Sequence, residues 1–119
     1  MTPKDSRAAE SVLPLKPADF HILMVLTEGA LHGYGIMQRV AEQSSGRVQL
    51  EVGSLYRLIA RMTDEGLIVE SKTSSRGSER RRYYRITLFG DQVAKLEARR
   101  LEQVVRTARA HDLLTDKTA

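Results

Sequence analysis

The chain contains no cysteine, no tryptophan and only three prolines among its 119 residues. Without cysteine there is no disulfide framework and no thiolate metal site. Without tryptophan no ligand can be held by stacking on an indole ring. No apolar run in residues 1–16 is long enough for a signal peptide, and nothing approaches the roughly 20 apolar residues of a membrane span. The expected compartment is therefore the cytoplasm. Also missing are HExxH, a phosphate-binding P-loop, GxSxG and any acidic cluster with metal-ligand spacing. No catalytic residue, metal ligand or cofactor is expected, and the chain does not read as an enzyme. A single domain of this size buries only about two-thirds of its unfolded surface, so a dimer interface would add useful burial.

What is present is positive charge in one place. The formal net charge is +4. Ser71 to Arg85 alone carries Lys72, Arg76, Arg80, Arg81, Arg82 and Arg85 against Glu79, a surplus of five, which leaves the rest of the chain at minus one. A nearly neutral protein with one concentrated basic segment is suited to present that segment to a polyanion. An isolated charge run is more often a solvated loop, so its neighbours decide the matter.

Residues 1–16 read as a polar, Ala-rich arm, in which Asp5 or Ser6 could cap a short helix ending before Pro14. Pro17 suits a first helical turn, Asp19 favours the positive end of the helix dipole, and Gly29 follows as a stop. Phe20, Ile22, Leu23, Met24, Val25 and Leu26 make this helix apolar on nearly every side, as a buried central element requires. His32-Gly33-Tyr34-Gly35 opens a second helix with Ile36, Met37 and Val40 on one stripe. Val48 and Leu50 alternate with Gln49 and Glu51, which predicts a very short strand.

A third helix is predicted from about Val52 to Glu65, with Gly66 as its cap. Leu55, Leu58, Ile59 and Met62 fall at i, i+3, i+4 and i+7 and form one buried face. Ser54, Arg57, Arg61 and Asp64 lie opposite, so both arginines are expected to be removable without unfolding the chain. Residues 67–72 read as a strand, Thr73 to Ser78 as a turn and 81–86 as the returning strand. Thr87 then caps a last helix running to about Asp112.

Helix, helix, short strand, helix, strand, basic tip, strand is the order of a helix-turn-helix followed by a β-hairpin wing. The fold class is thus mostly α with a small β-hairpin wing (α+β), a winged helix-turn-helix plus a C-terminal dimerisation helix. The expected divisions are an arm at 1–16, the DNA-binding domain at 17–87, the dimerisation helix at 88–112 and a tail at 113–119. In such a unit the third helix enters the major groove. Tyr34, Ser54, Tyr56, Arg57 and Arg61 are the candidates near double-stranded DNA, because an arginine fork can bond guanine N7 and O6 together or clamp phosphate. Lys72, Arg76, Arg80, Arg81 and Arg82 in the wing would reach flanking backbone or the minor groove. The ordinary alternative for Arg57 and Arg61 is a solvated helix face held by Asp64 and Glu65. Tyr56, at the edge of the apolar stripe, is assigned a phosphate contact through its hydroxyl, with core-flanking packing as the alternative.

The residues also carry a resemblance. His32-Gly33-Tyr34 with Ile36, Gly53-Ser54-Leu55-Tyr56-Arg57-Leu58, Glu65-Gly66-Leu67-Ile68, and Arg82-Tyr83-Tyr84-Arg85-Ile86-Thr87 with Gly90 resemble the PadR-like regulators in order and spacing. The likeness covers about residues 18–90. It implies a winged-helix DNA-binding domain, a C-terminal helix that dimerises and, usually, repression of transcription relieved by a ligand. The single helix after Thr87 is similar to the family's short-tailed branch. Two departures stand out. Glu51-Val52 replaces the family's Ser-Pro before the glycine of the third helix, which leaves the start of that helix open. Leu88-Phe89 replaces an acidic residue before Gly90 and suggests extra apolar packing at the base of the last helix.

His21 lies in the first helix and reads as a satisfied core or edge histidine, while the resemblance gives His32 a structural place. His111 lies near the end of the last helix. On that helix Val93, Leu96, Leu101, Val104, Val105 and Ala108 are the expected dimer interface, although Glu97, Arg99 and Arg100 interrupt a clean coiled-coil seam. The alternative is a helix folded onto its own domain. The expected partners are double-stranded DNA, a second copy of the chain and a small-molecule effector of unknown identity, with no membrane. A protein-interaction module without DNA binding is the alternative function, and double-stranded RNA the alternative nucleic acid.

Overall fold

The computed structural model describes residues 8–71 and 82–114. Residues 8–11 are helical, so the expected N-terminal turn is there, while its proposed caps Asp5 and Ser6 lie outside the described residues. Helix α1 (Pro17–Leu26) begins on its proline, and Ile22, Leu23, Val25 and Leu26 are all buried. It is the central element that its all-round apolarity predicts.

Strand β1 (Leu31–His32) leads into helix α2 (Gly33–Gln43), and helix α3 (Val52–Asp64) follows after a loop. The strand expected at Val48–Glu51 is not formed. The backbone N–H of Val48 donates to Ser44 Oγ at 2.9 Å, which curls this segment against the end of α2. The third strand of the sheet is instead β1, only two residues long and too short to leave a periodicity. Strands β2 (Ile68–Ser71) and β3 (Tyr83–Ile86) form the base of the hairpin, and the antiparallel sheet has the order β1-β3-β2. Register runs from Ile68 opposite Ile86 to Ser71 opposite Tyr83, with Leu31 opposite Tyr84 on the other edge. Helix α4 (Leu88–Ala110) closes the chain.

The stops and starts obey local chemistry. Gly66 takes φ +80°, where a side chain is strained. Beside it, the Leu67 N–H donates to the Met62 carbonyl at 2.9 Å and ends α3. Thr87 Oγ1 accepts from Gly90 N–H at 2.9 Å and donates to the Gly66 carbonyl at 2.6 Å, so one hydroxyl caps α4 and pins it to the end of α3. At Gly90 an added Cβ would collide with the Leu67 carbonyl oxygen and lie 3.0 Å from Ile86 Cγ1. The close crossing of α4 over the base of the hairpin therefore requires glycine. Leu88, expected to add apolar packing here, is 88% exposed. Phe89 alone packs partly against the core, because a helix start can turn only one of two adjacent side chains inward.

Candidate nucleic-acid interface

Helix α3 is anchored by Leu55, Ile59 and Met62, at most 4% exposed, with Leu58 half-buried behind them. On its other side Val52, Gly53, Tyr56, Arg57, Ala60, Thr63 and Asp64 face outward. Ser54 sits at the margin and donates to the Glu51 carbonyl at 3.5 Å. Among the described residues Arg57 forms no ion pair and is exposed, as a group awaiting an acceptor from outside would be.

Arg61 requires a correction. Its guanidinium donates to both carboxylate oxygens of Asp19 at 2.9 and 3.0 Å, and it stands 3.4 Å from Glu65. The Asp19 side chain is only 4% exposed, whereas that of Arg61 is 36% exposed. A buried carboxylate needs a partner of opposite charge, and the Asp19 bond raises the Arg61 pKa, so the cation is firmly held. Arg61 therefore ties α3 to the first turn of α1 and is turned away from the outward face. The sequence signal is the one carboxylate of an otherwise largely apolar helix, whose place near the helix start also suits the dipole.

Tyr34, in the first turn of α2, is 60% exposed, and Tyr56 is 48% exposed. Gln38 Nε2 donates to Tyr34 Oη at 3.4 Å. The ring of Tyr56 stands over Gly33: a Cβ there would lie 2.9 Å from Tyr56 Cζ and overlap its hydroxyl. Gly33 thus lets α2 and α3 approach, and the Tyr56 hydroxyl comes to the start of α2 beside Tyr34. His32 caps α2, its Nδ1 accepting from Gly35 N–H at 3.1 Å, and stacks edge-on against Tyr83 with centroids 5.3 Å apart. His21 Nδ1 lies 2.9 Å from Gln43 Nε2 and joins α1 to the end of α2. Two of the three histidines are thereby engaged in holding helices.

Between α3 and the hairpin runs a groove of about 410 Å³ lined by Tyr56, Ala60, Asp64, Glu70, Arg82 and Tyr84. Arg82 and Glu70 face each other at 3.9 Å across the hairpin. Burial, with the negative charge of Glu70, pushes the Tyr84 phenol up. Arg82, just before β3, and Arg85 on it are exposed. The other predicted wing residues, Lys72, Arg76, Arg80 and Arg81, lie outside the described residues. Among the described residues no group of three His, Asp or Glu could hold a metal ion, and no helix is long and apolar enough to cross a membrane.

The expected interface on α4 divides into two parts. Val93 is fully buried in the chain's own core and Leu96 packs against that core. Both are therefore core residues rather than interface residues, because the first half of α4 lies on α1. Glu97, read as an interruption of the apolar stripe, is also buried. Arg100 donates to it twice, at 2.7 and 2.8 Å. Beyond this pair the helix leaves the domain. Val104 and Val105 are 51% and 41% exposed, Leu101 and Ala108 are partly buried, and Leu113 beyond the helix end is 75% exposed.

A family model described as the Transcriptional regulator PadR-like family matches residues 22–96. A search of the curated proteins found no match. Among solved structures, a transcriptional regulator from Clostridium thermocellum is 27% identical with a TM-score of 0.66, over 78% of this chain and 87% of that one. Bacillus subtilis PadR, solved in complex with operator DNA, is 25% identical with a TM-score of 0.59, over 67% of this chain and 45% of that one. A PadR-like regulator from Bacillus cereus shares the fold over 93% of this chain and 99% of its own, at 24% identity and a TM-score of 0.67.

Proposed function

The chain belongs to the Transcriptional regulator PadR-like family, and on that premise we propose that it reads double-stranded DNA by sequence and acts as a homodimeric repressor. The observation that carries this reading is the outward face of α3. That face holds Tyr56 and an Arg57 that forms no ion pair among the described residues, with the exposed Tyr34 beside it at the start of α2, and it stands next to a hairpin whose segment has a surplus of five positive charges. A helix so placed offers its first turns to base edges, while the hairpin and the tyrosine hydroxyls meet phosphate. The B. subtilis relative supports it as a protein bound to operator DNA. The outer half of α4 supports the dimer, through the exposed Val104 and Val105 with the partly buried Leu101 and Ala108 beside them. A two-fold pair would set two copies of α3 about one DNA turn apart. No chemistry of bond making is part of this reading.

The test is a gel shift with duplex DNA and duplex RNA, followed by selection from random DNA duplexes. A recovered, two-fold symmetric DNA sequence is expected. Equal binding to RNA would favour the double-stranded RNA reading, and no binding to either would move the protein-interaction reading ahead.

A further inference from the structure

The face that α3 turns outward sets exposed aliphatic carbon among a few polar side chains. At about 100° per residue, Val52, Thr63, Tyr56, Ala60 and Gly53 occupy successive positions of one exposed arc, with Asp64 and Arg57 at its far edge. Arg61, the next cation around the helix, is committed to Asp19. One arginine of this helix is therefore left for fork bonding, while Val52 at the near end of the arc and Ala60 within it present exposed aliphatic carbon. Val52 is the most prominent of them: it is the first residue of α3 and is 61% exposed. Gly53 and Ala60 beside it are small enough to let the helix settle close to the floor of a groove. The carboxylates of Glu51 and Asp64 flank the arc and disfavour phosphate there, so the arc suits base edges rather than backbone.

In the major groove only one natural base presents an apolar group, the C5-methyl of thymine. Exposed aliphatic carbon on a reading helix gains by covering that methyl, and gains nothing from cytosine or a purine at the same place. We infer that Val52 is a specificity-determining residue that selects thymine by contact with its C5-methyl group. Ala60 and the Tyr56 ring extend the same apolar strip, and Arg57 supplies the polar contact at its edge. This rests on the DNA-reading function proposed above and assigns the base class that the face prefers.

The experiment replaces each thymine of the selected duplex in turn by deoxyuridine, which removes the methyl group and nothing else. Affinities are measured for the wild type and for Val52→Ala. At one thymine per half-site the wild type should lose about fourfold in affinity, the worth of one buried carbon. The Val52→Ala protein should bind the thymine and uracil duplexes equally well. An exposed valine changed to alanine in a helix leaves the fold intact, which a melt verifies. Wild-type affinity unchanged by uracil at every position would overturn the inference, and so would a selected site without thymine. A uracil penalty that persists in Val52→Ala would transfer the contact away from Val52 and overturn its role. Failure to bind any duplex above background is a separate result and would sink the DNA-reading function itself.

Discussion

Two ion pairs show how much a single side chain can be fixed by its surroundings. Asp19 is almost wholly buried and its carboxylate is matched by Arg61. Removing Arg61 leaves that carboxylate uncompensated, so Arg61→Ala should destabilise the fold instead of only weakening binding. Loss of a buried pair can reach about 3–5 kcal/mol. Because the Arg61 side chain is 36% exposed, water screens the pair and about 1–3 kcal/mol is expected. A denaturant melt checks this, and Asp19→Asn with Arg61→Ala together should cost less than the sum of the two singles. Additive costs would mean the pair is not coupled.

Glu97 makes a pH-dependent version of the same argument. The Arg100 guanidinium holds its carboxyl below the ordinary value of 4.5, against burial, with further help from the Leu15 backbone N–H. A carboxylate whose pKa is depressed on folding contributes stability that is fully present above its unfolded value. That stability is lost as pH falls through the folded value. Melting temperature should therefore decline as pH is lowered below about 4.5, and Glu97→Gln should flatten that part of the profile. Parallel profiles for the two proteins would exclude Glu97 as the source.

At the scale of the element, α3 separates stability from recognition. Leu55 is fully buried, so Leu55→Ala opens a cavity and should cost about 2–5 kcal/mol of stability. Its effect on binding should only reflect the folded fraction. Arg57→Ala should melt like the wild type and lose about 1–3 kcal/mol on the preferred duplex if its fork meets a guanine. A paired melt and titration distinguishes them, and an Arg57→Ala protein with full affinity and preference would remove it from the reader. The wing behaves differently again. Neutralising Arg80, Arg81 and Arg82 together should weaken binding to all duplexes alike and reduce the salt slope by up to about three, since phosphate contacts release counterions. An unchanged slope would take the wing out of the interface.

For the molecule as a whole the open matter is what covers the outer half of α4. Leu101 also lines a small cavity with Leu15 and Phe20 of its own chain, so changing it would mix folding with assembly. Val104 and Val105 are exposed, and replacing both with Asp should leave the domain folded, yield monomers in sedimentation and weaken DNA binding to that of one half-site. A wild-type chain that sediments as a monomer at micromolar concentration would refute the dimer.

The sequence by itself determined those features that are written in local patterns. The apolar ring of α1, the i, i+3, i+4, i+7 face of α3, the stop at Gly66, the Thr87 cap and the two long strands of the hairpin all follow from residues within a turn or two of each other. The resemblance carried by His32-Gly33-Tyr34 and its companions follows in the same way. Only the tertiary structure decided which side chains remained free. Whether Arg61 faced a groove depended on Asp19, 42 positions away, and the fate of Glu97 depended on how α4 lay on α1. Val93 and Leu96 belong to the same stripe as Val104, yet they fall inside the domain because α4 leaves α1 only after Arg100. The two-residue β1 exists because β3 had an edge to pair, while Val48–Glu51, with the better alternation, was drawn to Ser44. Periodicity reports which face of an element is apolar; long-range charge pairing and the length of a contact decide what that face, and its opposite, are used for.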